Sequence, residues 1–327
     1  MLSKNEWDPL EAVIVGVADD AKIPPLDLSL ITVNYADKNF NELEKIKVGN
    51  YPTQVIEEAN QDLETFCQFL LGEDVEVYRP DKTHVPEYYN YCPRDIVLIH
   101  DNLILATPNP IKVRQSEWGA LAADLSVYGN IIHHVTHKVD TLYNEECLGN
   151  PEILALNETE PAFDAANILR DNDNLYYLVS NSGNKSGAKF LQELCPDKRV
   201  WTIEGIYSYM HLDSTIALLR EGLMLLNPSR IKSIDQLPEP LQHWDYIWCP
   251  EPVDIGHYPG YCNASKWINM NLFSVNTGLV ALEENQHPLR KELEKWGIEC
   301  AMLPMRHQRT LGGGFHCVTL DIIRNHQ

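Results

Sequence analysis

Residues 312–317 combine a run of glycines with a side chain that can act as a nucleophile. They read Gly-Gly-Gly-Phe-His-Cys, which places Cys317 just beyond the glycines and directly after His316. Glycine has no Cβ, so such a run lets the backbone approach a substrate closely. A cysteine thiolate is a strong nucleophile when its surroundings lower its pKa. A buried structural role is commoner for cysteine, and we assign it to Cys67, Cys92 and Cys300. For Cys317, the glycines and the adjacent histidine favour catalysis.

A histidine and an aspartate two residues apart form the second candidate segment. His211 and Asp213 lie in the sequence Met-His-Leu-Asp-Ser-Thr. On an extended segment, residues two apart point to the same face, so we expect both side chains to face one cleft. There, His211 has the chemistry of a general acid and base near neutral pH. The alternative is an ordinary pair on the protein surface.

Two further aspartates stand beside apolar segments. Asp164 lies between Phe163 and two alanines, which suggests an enclosed carboxylate that needs a partner, because an unpaired buried charge is costly. Orienting a histidine is one such role, and capping the turn that follows is the alternative. Asp95 opens the apolar run 96–99, a position that suits either a binding site or a simple turn.

Cysteine, histidine and several carboxylates together fit the chemistry of a guanidinium group. Two carboxylates can hold the planar guanidinium through paired, charge-assisted hydrogen bonds. A thiolate can attack its central carbon, and a histidine can protonate the amine that leaves. The order Asp95, Asp164, His211, Asp213, Cys317 is far more specific than any of these residues alone.

Short apolar runs that alternate with amphipathic segments predict the elements that must position these side chains. Residues 95–106 predict a hairpin that turns at Asp101-Asn102, and residues 318–323 predict a strand after Cys317. Helices are predicted at 53–71, 184–194 and 288–296 from their apolar spacing. Residues 23–51 lack strong periodicity and predict a long surface loop. The chain is therefore an α/β protein. No Pro/Gly/Ser-rich linker divides it, so we predict a single domain over residues 1–327.

Composition and charge exclude several classes of partner. The 327 residues carry a formal net charge of −21, which repels nucleic acid and anionic membranes. No apolar run approaches the roughly 18 residues of a membrane span, and the first residues contain no apolar signal segment. The eight cysteines show no CxxC pair or zinc-finger spacing, so we predict free thiols and a cytoplasmic location.

Nothing in the sequence predicts a metal or an organic cofactor. The nearest candidate for a metal site is the group His133, His134 and His137, which we interpret as polar residues around the end of a strand. Neither a GxGxxG after a first strand nor a GxxxxGK[ST] is present.

Motifs distributed over nearly the whole chain make it similar to the glycine amidinotransferase family, the arginine-dependent amidinotransferases. They are residues 5–11 (Asn-Glu-Trp-Asp-Pro-Leu-Glu), 13–16, 93–96 (Pro-Arg-Asp-Ile), 163–166 (Phe-Asp-Ala-Ala), 210–213 (Met-His-Leu-Asp), 227–230 (Asn-Pro-Ser-Arg), 265–267, 270–271 and 312–317. The resemblance implies the pentein fold, an α/β-propeller of five ββαβ-type units around a pseudo-fivefold axis with the active site at the centre.

The resemblance also implies a role for each matching residue. Cys317 is the nucleophile that carries the amidino group, His211 protonates the leaving ornithine, and Asp164 orients His211. Asp95 and Asp213 bind the guanidinium. Arg230 and Ser265 match positions that hold the carboxylate end of the arginine donor.

The sequence departs from the family pattern at three places, of which the changes at Asn167 and Ser208-Tyr209 put glycine as the acceptor in question. Asn167 stands where a second acid is common, Ala264 where serine is common, and Ser208-Tyr209 precede Met210 in place of Asn-Pro. Replacing asparagine by Ser208 enlarges the space beside Met210. We therefore expect an amine acceptor larger than glycine: a specialised-metabolite precursor, a diamine or a longer amino acid.

Other functions stay open at this point. Glycine itself is one possible acceptor. A deiminase-type hydrolase of the same superfamily would resolve the adduct with water, and a catalytically silent binding protein is a third alternative. The expected partners are L-arginine and the amine, without nucleic acid or membrane, and the sequence is compatible with a homodimer.

Overall fold

The computed structural model describes residues 2–134 and 138–326. Its strands are β1 (Leu10–Val15), β2 (Lys22–Ile23), β3 (Gly49–Asn50), β4 (Glu76–Tyr78), β5 (Val97–His100), β6 (Leu103–Ala106), β7 (Ile131–His133), β8 (Ile168–Asp171), β9 (Asn174–Leu178), β10 (Arg199–Ile203), β11 (Ile216–Arg220), β12 (Leu223–Leu226), β13 (Asp245–Trp248), β14 (Phe273–Asn276), β15 (Leu279–Glu283), β16 (Glu299–Leu303) and β17 (Thr319–Arg324). Its α-helices are α1 (Leu28–Asn34), α2 (Phe40–Leu43), α3 (Thr53–Gly72), α4 (Ala122–Leu125), α5 (Lys185–Leu194), α6 (Glu239–Gln242), α7 (His287–Lys295) and α8 (Gln308–Leu311).

Fifteen of these strands form five three-stranded sheets of one design. In each sheet the first two strands pair antiparallel, and the third pairs parallel to the second after a helical connection, as a parallel pair requires. In chain order the sheets are β17–β1–β4, β5–β6–β7, β8–β9–β10, β11–β12–β13 and β14–β15–β16. The predicted α/β class and the five ββαβ-type units are confirmed.

One of the five sheets joins the two ends of the chain. Strand β1 pairs antiparallel with β17, with Val13 opposite Asp321, and parallel with β4, with Val13 opposite Val77. The backbone amide of Ser3 also donates to the carbonyl of Ile322 at 3.0 Å. This pairing brings the segment before β1 next to the turn that carries Cys317.

Helix α3 matches the predicted amphipathic helix and packs beneath the Cys317 turn. Its apolar residues recur every three or four positions, and Val55, Leu63 and Phe66 are fully buried. The ring of Phe66 packs edge-on against Phe315, with the ring centroids 4.9 Å apart. The apolar face of α3 therefore supports the segment that precedes the candidate nucleophile.

Local predictions are also confirmed for two further helices, a hairpin and the cysteines. Helix α5 begins after Asn184, whose side chain accepts a hydrogen bond from the Gly187 amide, and α7 begins one residue earlier than predicted. The β5–β6 hairpin turns at Asp101, which adopts a positive φ of 56°. All eight cysteines are free.

The predicted surface loop at residues 23–51 is wrong. This segment contains α1, α2 and β3, and Leu30 and Val33 of α1 are buried. Asp27 caps α1 by accepting a hydrogen bond from the Leu30 amide. A helix of seven residues is too short to show clear periodicity, and packing against the core stabilises it.

No helix in the described parts of the chain is both long and apolar enough to cross a membrane.

Candidate active site

The candidate site residues occupy equivalent positions in the five sheets. Four sheets have a short 3-10 helix just before their first strand: Pro93–Asp95 before β5, Ala165–Asn167 before β8, Leu212–Ser214 before β11 and Lys266–Met270 before β14. Five of the predicted residues lie within one of these turns or directly before it, and Cys317 lies in the turn before β17. The residues concerned are Asp95, Asp164, His211, Asp213 and Ser265.

A cavity of about 400 Å³ collects most of these side chains. The predicted residues that line it are Asp95, Met210, His211, Asp213, Arg230, Ser265 and Cys317. Segments that the sequence did not single out complete the wall, including the end of α1, the loop after it and the aromatic side chains of Tyr207 and Tyr209.

Two predicted residues do not line this cavity. Asp164 is fully buried behind the wall and reaches the cavity only through His211. Ser208 was expected beside the acceptor, but its neighbours Tyr207 and Tyr209 form the wall there. Its backbone carbonyl accepts a hydrogen bond from the Asn181 amide at 2.8 Å. The sequence argument that Ser208 enlarges the pocket is therefore corrected.

The glycines before Cys317 serve the packing of the turn. A Cβ on Gly313 would lie 2.4 Å from Cys92 Sγ, and one on Gly314 would lie 2.9 Å from the Cβ of Asn271. We predicted that the glycine run lets the backbone approach a substrate closely. At Gly313 and Gly314 this prediction is corrected, because the close neighbour there is another part of the protein. Asn271 Oδ1 also accepts from the backbone amides of His316 at 3.0 Å and Cys317 at 3.1 Å, which fixes the turn.

The Cys317 thiol is only 2% exposed and lies beside an acid. Its Sγ is 3.3 Å from Asp213 Oδ2. The adjacent Cys92 side chain, burial and the charge of Asp213 raise the pKa of Cys317 well above its usual value, while His211 acts in the opposite direction. The thiol is therefore protonated in this state, and a cation in the cavity would favour the thiolate.

His211 is held between two carboxylates. Its Nε2 is 2.8 Å from Asp164 Oδ2 and its Nδ1 is 3.7 Å from Asp95 Oδ1. Burial alone would lower the pKa of His211, but Asp95 and Asp164 raise it well above its usual value. The imidazolium form is thus stabilised. Asp164 is itself held by a hydrogen bond from the Asn109 side chain.

The segment around His211 differs from its predicted conformation. It was expected to be extended through Asp213, but Leu212–Ser214 is a 3-10 helix that begins directly after His211. Both side chains still line the cavity. The tight turn places Asp213 beside Cys317, while His211 reaches Asp164 on the other side.

Asp95 has one paired and one unpaired oxygen. Arg114 Nη1 donates to Oδ2 at 2.8 Å, whereas Oδ1 is buried and has no hydrogen-bond partner among the residues that the structure describes. Burial raises the pKa of Asp95, although His211 and Arg114 act to lower it. A cation that reached Oδ1 would satisfy this oxygen and stabilise the carboxylate.

Sequence reasoning missed three residues that support these groups. They are Asn109, which binds Asp164, and the pair Arg114 and Glu117, which are joined by a hydrogen bond of 2.9 Å. The only signal in the sequence was the i, i+3 spacing of Arg114 and Glu117, at which opposite charges can pair. No sequence pattern near either residue indicates a contact with Asp95.

Asp213 binds its protein partners through a single oxygen. Oδ2 contacts both Cys317 Sγ and His316 Nδ1, the latter at 2.9 Å. Neither of these two contacts uses Oδ1. Burial alone would raise the pKa of Asp213, but His316 and His211 lower it to about 2. The cavity therefore contains an ionised carboxylate with a free oxygen next to the thiol.

Arg230 lines the cavity, where its positive charge could bind an anionic group of a ligand. Its guanidinium lies 3.5 Å from the ring centroid of Tyr207, and Nη1 donates to Ser214 Oγ at 2.9 Å and Thr215 Oγ1 at 2.7 Å. In the described parts of the chain it has no acid as a salt-bridge partner. Ser265, at the start of a 3-10 helix, accepts from the Trp267 amide at 3.3 Å.

The two other departures from the family pattern lie at different depths. Ala264 lines the cavity. Asn167 is fully buried and does not line it; its Oδ1 accepts from Ser182 Oγ at 3.2 Å.

The described residues contain no group of three histidine, cysteine, aspartate or glutamate side chains placed to bind a metal ion. Of the histidines considered from the sequence, His133 packs against Trp118, His134 packs against Phe190, and His137 lies outside the described residues.

Known amidinotransferases are similar to this chain over almost its whole length. No family model matches it. Inosamine-phosphate amidinotransferase 1 of Streptomyces glaucescens is 38% identical over 337 residues, covering 98% of this chain and 95% of that protein. The mitochondrial glycine amidinotransferase of Gallus gallus is 31% identical over 351 residues, covering 98% of this chain and 82% of that protein.

Solved structures agree with these sequence comparisons. The inosamine-phosphate amidinotransferase of Streptomyces griseus superimposes with a TM-score of 0.94 at 37% identity, covering 100% of this chain and 97% of that one. The dimethylarginine dimethylaminohydrolase of Pseudomonas aeruginosa, at 13% identity, has a TM-score of 0.61 and covers 95% of this chain and 99% of that one, which shows a shared fold.

Proposed function

Because this chain belongs to the amidinotransferase family, we propose that it transfers the amidino group of L-arginine to a primary amine through a covalent intermediate on Cys317, releasing ornithine. One observation carries the proposal. The Cys317 thiol, the His211 ring held by Asp164, and the free oxygens of Asp95 and Asp213 all belong to the same cavity.

Binding of the guanidinium prepares the nucleophile. The planar guanidinium of arginine binds Asp95 Oδ1 and Asp213 Oδ1. Its positive charge offsets the negative charge that keeps Cys317 protonated. Arg230 and Ser265 hold the carboxylate of the donor, because Arg230 is a cation without an acidic partner among the described residues. These contacts place the central guanidinium carbon at the thiol.

The first half-reaction forms the adduct. Once arginine is bound, the Cys317 thiol releases its proton to solvent, the thiolate Sγ attacks the central carbon, and the C–N bond to the ornithine nitrogen breaks. His211, whose charged form is stabilised by Asp95 and Asp164, donates the proton that the leaving amine needs. The amidino group is left on Cys317 as a thiouronium.

The second half-reaction reverses these roles. Neutral His211 takes a proton from the incoming amine, whose nitrogen then attacks the thiouronium carbon. The C–S bond breaks and Cys317 is released as the thiolate. The product is a guanidine on the acceptor.

The acceptor is an amine larger than glycine. Support comes from a cavity of about 400 Å³ with aromatic walls, Tyr207 and Tyr209. Relatives named for an inosamine phosphate reach 39% identity, against 31% for one named for glycine. The acceptor therefore belongs with the specialised-metabolite precursor amines. Diamines and longer amino acids are the other amines to be tested as acceptors.

Incubation with arginine separates this function from its alternatives. Ornithine release that depends on an added amine, together with a guanidinylated amine in the mass spectrum, is the expected result. Citrulline would indicate a hydrolase, and release of neither product would indicate a silent binding protein. If glycine were the best acceptor by a wide margin, the larger acceptor would be wrong while the transfer reaction would stand.

A further inference from the structure

Arg114 joins two buried acids beside the cavity. Its Nη1 is 2.8 Å from Asp95 Oδ2, and its Nε is 2.9 Å from Glu117 Oε2. Each of the three side chains is no more than 3% exposed. Arg114 and Asp95 line the cavity, whereas Glu117 does not. The reaction steps above assign no role to Arg114 or Glu117.

The guanidinium of Arg114 is fixed in position and stays charged. Glu117, which binds it through Oε2, accepts a hydrogen bond from the backbone amide of Tyr89 through Oε1 at 3.3 Å. The guanidinium carbon lies 4.8 Å from the centroid of the Tyr89 ring. Burial alone would lower the pKa of Arg114, but Glu117 and Asp95 are among the groups that raise it well above its usual value.

Asp95 Oδ1 stays unpaired although a histidine lies close to it. His211 Nδ1 is 3.7 Å away, which is beyond hydrogen-bond distance. The charged form of His211 is stabilised, so the ring attracts the carboxylate. A carboxylate that was free to turn would approach the imidazolium until an oxygen accepted its hydrogen bond. The bond from Arg114 to Oδ2 opposes this movement.

The other groups around Asp95 do not supply this restraint. Burial raises the pKa of Asp95, Asp164 acts in the same direction, and His211 and Arg114 act to lower it. Within residues 2–134 and 138–326, Arg114 is the only cation that donates a hydrogen bond to Asp95. Two further titratable neighbours are uncharged at neutral pH, because burial raises their pKa values: Tyr89 and Cys92.

Glu117 competes little with Asp95 for the charge of Arg114. Burial raises the pKa of Glu117 to about 7, although Arg114 acts to lower it. Below that pH Glu117 is mostly neutral and still accepts the hydrogen bond from Nε. It then serves to hold the guanidinium in place, while the positive charge acts on Asp95.

Residues 109–117, between β6 and β7, hold both acids that flank His211. Asn109 donates to Asp164 Oδ1 from this segment, and Arg114 donates to Asp95 Oδ2. The two acids are nevertheless held at different distances from the ring. Asp164 Oδ2 is in contact with Nε2 at 2.8 Å, whereas Asp95 Oδ1 is kept 3.7 Å from Nδ1.

We propose that Arg114 is a positioning residue which, held by Glu117, keeps Asp95 from closing onto His211 and so leaves Asp95 Oδ1 for the guanidinium of the donor. The proposal rests on the proposed function in taking the guanidinium of arginine as the ligand of Asp95. Arg114 acts through Asp95, and Glu117 acts through Arg114.

Binding of arginine to Cys317→Ala reports on Asp95 without turnover. Isothermal titration calorimetry gives the Kd across a pH range in which Asp213, whose pKa is about 2, stays ionised. Binding is lost as the pH falls through the pKa of Asp95, because a protonated acid no longer attracts the guanidinium. Adding Arg114→Met removes a cation that lowers this pKa, so we expect the pH of half-maximal affinity to rise by about one unit.

Glu117→Gln in the same parent separates the charge of Arg114 from the packing of its segment. Glutamine keeps an oxygen for Arg114 Nε and is uncharged, so the pH of half-maximal affinity should stay at the parent value or fall slightly. The double variant Arg114→Met/Glu117→Gln leaves no unpaired buried acid and should show the same rise as Arg114→Met. A rise in Glu117→Gln as large as in Arg114→Met, or no rise in the folded Arg114 variants, would overturn the proposal.

The matched control is an arginine that binds a buried aspartate outside the cavity. Arg306 Nη2 is 2.7 Å from Asp62 Oδ1, and Asp62 is as buried as Asp95. Arg306→Met in the Cys317→Ala parent should therefore leave the pH dependence of arginine binding unchanged.

A crystal structure of Arg114→Met, or of the double variant, tests the positioning directly and without arginine. We expect an oxygen of Asp95 to lie within hydrogen-bond distance of His211 Nδ1. An Asp95 carboxylate that kept its wild-type position would overturn the proposal. If the wild type neither bound nor consumed arginine, the proposed function would be wrong, and this structure would still decide whether Arg114 holds Asp95.

Discussion

Asp164 contacts His211 from behind the cavity wall, with Oδ2 at 2.8 Å from Nε2 and with no exposed surface of its own. In the reaction proposed above, the aspartate therefore acts only through the His211 ring, which it orients and whose charged form it stabilises. This relationship separates its contribution from those of Asp95 and Asp213, which line the cavity.

Replacing Asp164 by asparagine should lower activity and change its pH dependence. Asp164 is one of the groups that raise the pKa of His211, so its loss lowers that pKa and leaves less imidazolium to protonate ornithine. We expect kcat to fall about 10²- to 10⁴-fold and the basic limb of the kcat profile to move to lower pH. Ornithine formation measured across pH is the assay, with Asp173→Asn as control. An unshifted basic limb would contradict the assigned role.

Cys317→Ala should abolish transfer while the protein stays folded. With arginine alone, the wild type should accumulate a mass increase of one amidino group on the peptide that contains Cys317. Cys262 is the internal control, because it is exposed and also lines the cavity. Finding the adduct on Cys262 would refute the assignment of the nucleophile.

Arg230→Ala should remove the preference for a donor with a carboxylate. Agmatine lacks this group but keeps the guanidinium, so the ratio of kcat/KM for arginine to that for agmatine isolates the contact. We expect this ratio to fall about 10- to 100-fold, the effect of one charged hydrogen bond. Arg309→Ala is the comparison, because Arg309 lines the cavity but is paired with Asp254 at 2.5 Å. An unchanged ratio in Arg230→Ala would place the donor carboxylate elsewhere.

Gly313→Ala should displace the turn that carries the nucleophile. Its Cβ would lie 2.4 Å from Cys92 Sγ and 3.1 Å from Cys317 Cβ, so the turn must move. We expect kcat to fall at least about tenfold, since small misplacements of reacting groups are costly. Adding Cys92→Ala removes the closest atom and should restore part of the activity. Gly278→Ala, whose Cβ would meet only Asn276 Oδ1 at 3.6 Å, should have no effect.

Arg170→Leu should destabilise the protein, because it removes one of the two buried arginines, Arg94 and Arg170, that contact both Glu6 and Asp321. Breaking a buried ion pair from one side costs about 3–5 kcal/mol of unfolding free energy, which urea titration would measure. The exposed pair of Arg290 and Glu294 supplies the control Arg290→Ala, for which we expect little change.

The same variant should show the pH dependence of this cluster. Arg170 lowers the pKa of both Glu6 and Asp321 in the folded state, although burial alone would raise it. Their stabilising contribution is therefore fully present above the unfolded pKa values near 4 and is lost as the pH falls through the folded-state values. The difference in stability between wild type and Arg170→Leu should shrink below about pH 4. A constant difference would show that packing, rather than charge, is responsible.

Elements with a local signal could be predicted from the sequence, and contacts between distant segments could not. Helix α3 and the β5–β6 hairpin follow from apolar periodicity and from a turn at Asp101. Helix α1 was missed because its seven residues depend on tertiary packing. The pairing of Arg114 with Asp95 joins residues 19 apart in sequence, and nothing local encodes it.

Pairing of β1 with β17 has a consequence for the folding of the chain. The two strands are far apart in sequence and the other four sheets lie between them, so their pairing must close a very long loop, which is a slow step in folding. The turn that carries Cys317 therefore reaches its place only when this sheet closes.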